Sequence, residues 1–271
     1  MNVRRARELG AQCLVLISHA LLAAALLGVP RPASALGDQI FNFVRDWLVP
    51  SKQYAVVIGI DEYKYKVDLN YAVNDARTMI QTLRLLGFGI DDDAILLKER
   101  GGGGPDISRA VVVETVSRVL KKAGARDQVI VFYAGHGTEI SLKDGGKEAY
   151  LQPSDYDSDN ALGTGLPFRD LVRMAEFADV KVKHVLFVLD ACYAGEALKA
   201  STIREDSPSA GNVAFYKGLL NEPAYMVLTT GADGQIVKEE DGHGVFTRAL
   251  VHGLAGAADS NANGVIHFRE L

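Results

Sequence analysis

Apolar residues along this chain gather in short continuous runs separated by amphipathic stretches. Residues 54–60, 94–97, 127–134, 184–190 and 224–230 are such runs, most of them rich in β-branched and aromatic side chains. A run that is apolar at nearly every position is a strand covered on both faces. Between these runs the spacing becomes helical: residues 73–86 put Val73, Ala76, Ile80 and Leu83 on one face, with Gly87 as the stop. Further helices are expected from a cap at Asp106 to about residue 123, over 168–178 and over 245–254. Residues 138–152 read instead as a hairpin with Gly145-Gly146 at its tip. Strands alternating with helices at this spacing predict an α/β fold with a parallel or mostly parallel, doubly wound sheet.

Two of the strands end on chemistry. The run 129–134 continues as Gly135-His136-Gly137, and the run 184–189 as Asp190-Ala191-Cys192-Tyr193-Ala194-Gly195. Sites in open α/β sheets lie at the carboxyl ends of strands, and neighbouring strands would set His136 beside Cys192, an activated nucleophile beside its base. A buried structural thiol and a satisfied core histidine are the bland readings of each residue alone. The pairing at two strand ends argues against both.

These residues resemble the caspase-like cysteine peptidases, most closely the metacaspases and their bacterial, orthocaspase relatives. The two candidates lie 56 positions apart, near the histidine-to-cysteine spacing of caspases, and Asp190 stands where caspases carry Gln, as in the metacaspase branch. The resemblance covers residues 53 to 271. It implies a three-layer sandwich with a mostly parallel central sheet flanked by helices. Within it, 53–195 is large-subunit-like, 196–222 an exposed linker and 223–271 small-subunit-like.

By that resemblance the function is that of a cysteine endopeptidase with a His136–Cys192 dyad, the backbone N–H groups of Gly137 and Cys192 facing the oxyanion. The substrate is a peptide or protein cut after Arg or Lys. Residues two apart in a strand share a face, so Asp190 is expected to line the specificity pocket beside Cys192. Asp75, in Tyr71-Ala-Val-Asn-Asp75-Ala, matches the family position that completes that pocket; read alone it is equally a first-turn acid meeting the helix dipole. Self-cleavage is expected in the linker, at Arg204 or Lys199. The alternative function is a catalytically weak, caspase-like module that binds peptides.

Composition adds a location and removes some partners. Arg4, Arg5 and Arg7 precede an apolar run from Cys13 to Val29 and the small residues Ala33-Ser34-Ala35, the pattern of a secretory signal over 1–35. The protein is therefore expected to be exported, periplasmic or secreted, with no membrane span once the signal is removed. Residues 36–52, with Phe41, Phe43 and Trp47, read as a linker or short packing helix. The formal net charge of −5 becomes −8 without residues 1–35, and no basic run remains, which argues against nucleic acid. Cys13 leaves with the signal, so Cys192 is expected as a lone thiol.

No cofactor is required by this reading, and calcium is a candidate only. Residues 259–270 place Asp259, Asn261, Asn263 and Glu270 at ligand positions of an EF-hand loop, with a hydrogen-bonded glycine turn as the other reading. The chain stops at Leu271, ahead of any exiting helix, as a piece of a longer protein would. The family's own calcium site uses paired acids after the histidine strand, and here that region reads Asp155, Asp157, Asp159 and then Gly163-Thr-Gly. The Gly101–Gly104 run lacks a following Lys-Ser or Lys-Thr and reads as a loop, not a phosphate cradle.

Overall fold

The structure, a computed structural model, describes residues 52–177, 179–191, 223–230, 239–240, 243–260 and the short strands Val15–Ile17 and Val265–His267. Its centre is a five-stranded, fully parallel sheet of β1 (Gln53–Ile60), β2 (Ile95–Lys98), β3 (Gln128–Ala134), β6 (His184–Asp190) and β7 (Ala224–Thr229), in the order β2-β1-β3-β6-β7. β3 and β6 are buried at every position, which is why both read as unbroken apolar runs.

Period two then divides the side chains between two layers. Val56, Ile58, Val131, Tyr133, Phe187 and Leu189 face one core, under α2 (Arg109–Lys122) and α3 (Phe168–Ala175). Val57, Ile130, Phe132, Leu186 and Val188 face the other, under α1 (Ala72–Leu85) and α4 (Val245–His252). The result is the expected three-layer sandwich. Each fully buried Phe in these layers contributes about 1.5–3 kcal/mol by burial. A hairpin of β4 (Gly137–Ser141) and β5 (Lys147–Leu151) rises directly after β3 and pairs with Leu166–Pro167.

Three boundaries differ from expectation for physical reasons. Asp106 does not cap α2: Ser108 does, its hydroxyl accepting from Val111 N. Asp106 instead faces Lys98 at 3.5 Å, where the buried ammonium at the end of β2 also meets Glu62 at 3.3 Å and Gly104 O at 3.1 Å. α3 ends at Ala175, three residues early, and α4 passes at His252 into a wider turn over Gly253–Ala257. Helix α1 has no cap of its own at Tyr71; the Asp61 carboxylate, beyond β1, accepts from Val73 N at 3.2 Å and so fixes where α1 starts. Val15–Ile17, inside the expected signal, pairs antiparallel with Val265–His267.

Candidate active site

β3 and β6 are neighbours, and their register sets Ala134 opposite Asp190. Gly135 N donates to Asp190 O at 3.2 Å, continuing the ladder one residue further, and His136 follows. Its backbone N–H donates to Tyr63 Oη at 2.8 Å, and its ring lies on the Tyr63 ring with centroids 4.6 Å apart. The His136 Nε2 is 2.8 Å from Val67 O. A carbonyl only accepts, so Nε2 carries the hydrogen and Nδ1 of the neutral ring keeps its lone pair.

The loop that does this, between β1 and α1, is pinned throughout. Tyr63 N donates to Asp68 Oδ1 at 3.0 Å, Lys64 N to Ser154 O at 2.8 Å and Leu69 N to Asp61 O at 2.8 Å. Behind His136, Tyr133 Oη reaches Gln152 O at 2.7 Å and His136 O at 3.0 Å. The hydroxyls of Tyr63 and Tyr133 would lie 2.7 and 2.9 Å from a Cβ at position 135, so only glycine fits between the strand and His136. Burial pushes both phenols well up, and they stay protonated as neutral hydrogen-bonding groups.

The two candidate pocket acids meet on the opposite layer. Asp190 has the parity of Leu186 and Val188, so it faces α1 and α4, where the Thr247 hydroxyl donates to its Oδ2. Asp75, in the first turn of α1, accepts from Gly244 N through Oδ2 at 3.0 Å and from His243 Nδ1 through Oδ1 at 2.9 Å. A Cβ on Gly244 would sit 3.0 Å from Asp190 Oδ2 and 3.1 Å from Asp75 Oδ2. The two carboxylates therefore lie within about 6 Å of each other, close enough to feel one another's charge.

Asp75 is 4% and Asp190 6% exposed. Both oxygens of Asp75 have donors, whereas Asp190 Oδ1 is buried without a partner among the described residues. Burial raises the Asp75 pKa, against the pull of Gly244 N–H and His243. Burial, helped by the Asp75 charge and opposed by Thr247, pushes Asp190 up to about 6. An orphaned buried carboxylate oxygen beside a second acid is an acceptor for a cation brought from outside.

Ala191, the last residue described before Cys192, is clamped by Thr230: Ala191 N donates to Oγ1 at 3.2 Å, and Oγ1 donates to Ala191 O at 3.0 Å. Cys192, Lys199, Arg204, Asn261, Asn263 and Glu270 lie outside the described residues. Gly137 is the first residue of β4, opposite Leu151, and Asp259 N donates to Gly256 O at 3.1 Å. Among the described residues no group of three or more His, Cys, Asp or Glu could hold a metal ion.

Sequence reasoning missed Tyr63, Val67, Thr230, His243, Gly244 and Thr247. One of them had a signal: Thr247 lies on the stripe shared by Leu250 and Leu254 and is fully buried. A hydroxyl on an apolar helix stripe asks for a buried polar partner.

The caspase-domain family model matches residues 52–270. Metacaspase-3 of Trypanosoma cruzi is 26% identical over 149 residues, covering 53% of this chain and 40% of that protein. Metacaspase-1 of Saccharomyces cerevisiae is 25% identical over 183 residues, covering 64% and 38%. The chain thus matches less than half the length of these relatives. A crystal structure of a Geobacter sulfurreducens protein superposes with a TM-score of 0.52 at 19% identity, over 75% of this chain and 82% of that one, and shows the same fold.

Proposed function

We propose that this chain, which belongs to the caspase-domain family, is a cysteine endopeptidase that cuts peptide bonds after Arg or Lys. In this reading the Cys192 thiol passes its proton to His136 Nδ1 and attacks the carbonyl carbon as the thiolate, and His136 gives that proton to the leaving amine. A water then attacks the thioester, leaving one of its protons on His136, and the Cys192 sulfur departs to restore the enzyme. The tautomer supports this assignment: with Nε2–H held by Val67 O, the free Nδ1 is the atom that exchanges the proton. The register supports it as well, because each strand has two more residues to run from the Ala134–Asp190 pair to His136 and to Cys192. Backbone N–H groups of Gly137 and Cys192 are the proposed oxyanion donors.

The observation that carries the specificity is the acid pair at the same sheet edge, with Asp190 Oδ1 unpaired. A guanidinium or ammonium entering there gains a charge-assisted hydrogen bond, and an acidic side chain is repelled by both carboxylates. Export, with residues 1–35 removed, and self-cleavage after Arg204 or Lys199 belong to the same reading.

The test is the hydrolysis of fluorogenic peptides ending in Arg, Lys or Asp by the full chain and by Cys192→Ala. Turnover of the Arg and Lys peptides is expected from the parent, with less than a tenth of it left in the variant. Comparable turnover of the Asp peptide, or an active Cys192→Ala, overturns the reading. A band pattern on a gel that is identical in the two proteins after incubation excludes self-cleavage.

A further inference from the structure

The pocket around Gly244 holds another titratable group, one that the peptidase reading leaves without a task. His243 Nδ1 donates to Asp75 Oδ1 at 2.9 Å, and with 29% of its side chain exposed it stands between the buried acid and solvent. On α1 it also meets the amide of Asn74, 3.3 Å from both ring nitrogens. At the end of β6, Asp190 lies across Gly244 from Asp75, and α4 presents the neutral Thr247 hydroxyl, with Arg248 exposed beside it in sequence. On the paired strand Glu239–Glu240, Glu240 is the register partner of His243 and Glu239 that of Gly244. Arg248 apart, the ionisable groups placed at Gly244 beside His243, namely Asp75 and Asp190, are acids.

We propose that His243 is a specificity-determining residue: neutral, it leaves the pocket its two negative charges, and protonated it cancels one of them. The preference for Arg or Lys over an uncharged side chain then falls as His243 gains its proton. The inference rests on the pocket reading given above. Its physical content is reciprocal: a substrate cation beside Asp190 opposes a proton on His243, and that proton opposes the substrate by the same factor. Histidine as a class changes charge between pH 5 and 8, the interval within which the experiment below is run. Asp190, with its carboxyl pushed up to about 6, changes the pocket in the same direction as the pH falls.

The experiment compares two peptides that differ only in Arg or citrulline on the acyl side of the cut bond, a cation and its near-isosteric neutral counterpart. The ratio of their kcat/KM values cancels the titration of nucleophile and base, which both substrates use. It is measured at pH 8 and pH 6 for the full chain and for His243→Asn, which keeps an amide donor near the Nδ1 position. Thermal melts check the fold, and His243→Gln serves as a second variant. In the parent protein the ratio is expected to fall from pH 8 to pH 6. The fall should be smaller in the variants, by a factor of up to about ten, the ceiling that a one-unit coupling sets.

Parallel falls in parent and variants overturn the inference. So does a loss of the ratio in the variants that is equal at both pH values, which is the mark of a purely structural role. A parent protein with no preference for Arg over citrulline at pH 8 overturns the pocket reading itself, a different result from either.

Discussion

Two histidines stand at the carboxyl edge of the sheet, each with one ring nitrogen on an oxygen, and the two oxygens differ in charge. His136 gives its Nε2–H to the carbonyl of Val67, and His243 gives its Nδ1–H to the carboxylate of Asp75. A carbonyl fixes tautomer and orientation without adding charge, leaving a neutral ring with one free lone pair. A carboxylate does the same and also offers a full negative charge to any second proton on the ring. The first arrangement suits a group that passes a proton on, the second a group that stores one. Identical side chains thus acquire different tasks from their second partners, which come from a loop backbone in one case and a buried acid in the other.

The widest separation between them comes from removing the first. His136→Asn is expected to lower kcat/KM by roughly a thousandfold or more, as loss of a general acid–base group does. The Arg and citrulline peptides should suffer equally, so that their ratio is unchanged. A ratio that shifts would mean that the two histidines do not act separately.

Asp190→Asn gives the complementary result. The Arg peptide should lose about a hundredfold in kcat/KM, the worth of a hydrogen bond to a charged group, while the citrulline peptide changes little. The same substitution should stabilise the fold. The Asp190 carboxyl sits at about 6 against an ordinary 3.8, so the folded state favours the protonated form. That contribution is fully present below the ordinary value and is lost as the pH rises through about 6. The ionised carboxylate then costs roughly 3 kcal/mol at pH 8. Melts at pH 8 should show Asp190→Asn above the parent, and melts near pH 4 should show no difference. A variant that is less stable at pH 8 would remove the argument that Asp190 is held ionised for a ligand.

The strands and the two layers were legible because a buried parallel sheet forces continuous apolar runs, and His136 because an imidazole at a strand's end stands out; Asp75 came only through the family resemblance, since alone it reads equally as a first-turn acid. Asp106 misled, since a carboxylate shortly before an apolar periodic stretch looks like a cap; the buried Lys98 ammonium was a partner that only the fold could supply. Val67 left no mark in the sequence, because it acts through its carbonyl and the residue is 82% exposed. His243 meets Asp75 across 168 positions, a pairing that no local spacing announces. The legible part of the site is therefore what lies on regular elements, and the hidden part is what loops and the last helix bring to them.

The smallest effect, and the sharpest test of how His136 is held, belongs to Tyr63→Phe. Tyr63 supports His136 twice, by its ring face at 4.6 Å and by the hydroxyl that accepts from His136 N at 2.8 Å. Phe keeps the ring and removes only the oxygen, leaving a part-buried backbone N–H without its partner, at a cost of about 1–3 kcal/mol. The lost contact lies at the base and not in the acid pocket, so it should appear in kcat and not in the choice of substrate. The expectation is a fall in kcat of about tenfold with KM nearly unchanged, a lower melting temperature, and the parent's Arg-to-citrulline ratio at every pH. A Tyr63→Phe protein with full kcat would show that the ring and the Val67 carbonyl suffice to orient His136, while a changed substrate ratio would tie the loop to the pocket and end the division between the two histidines.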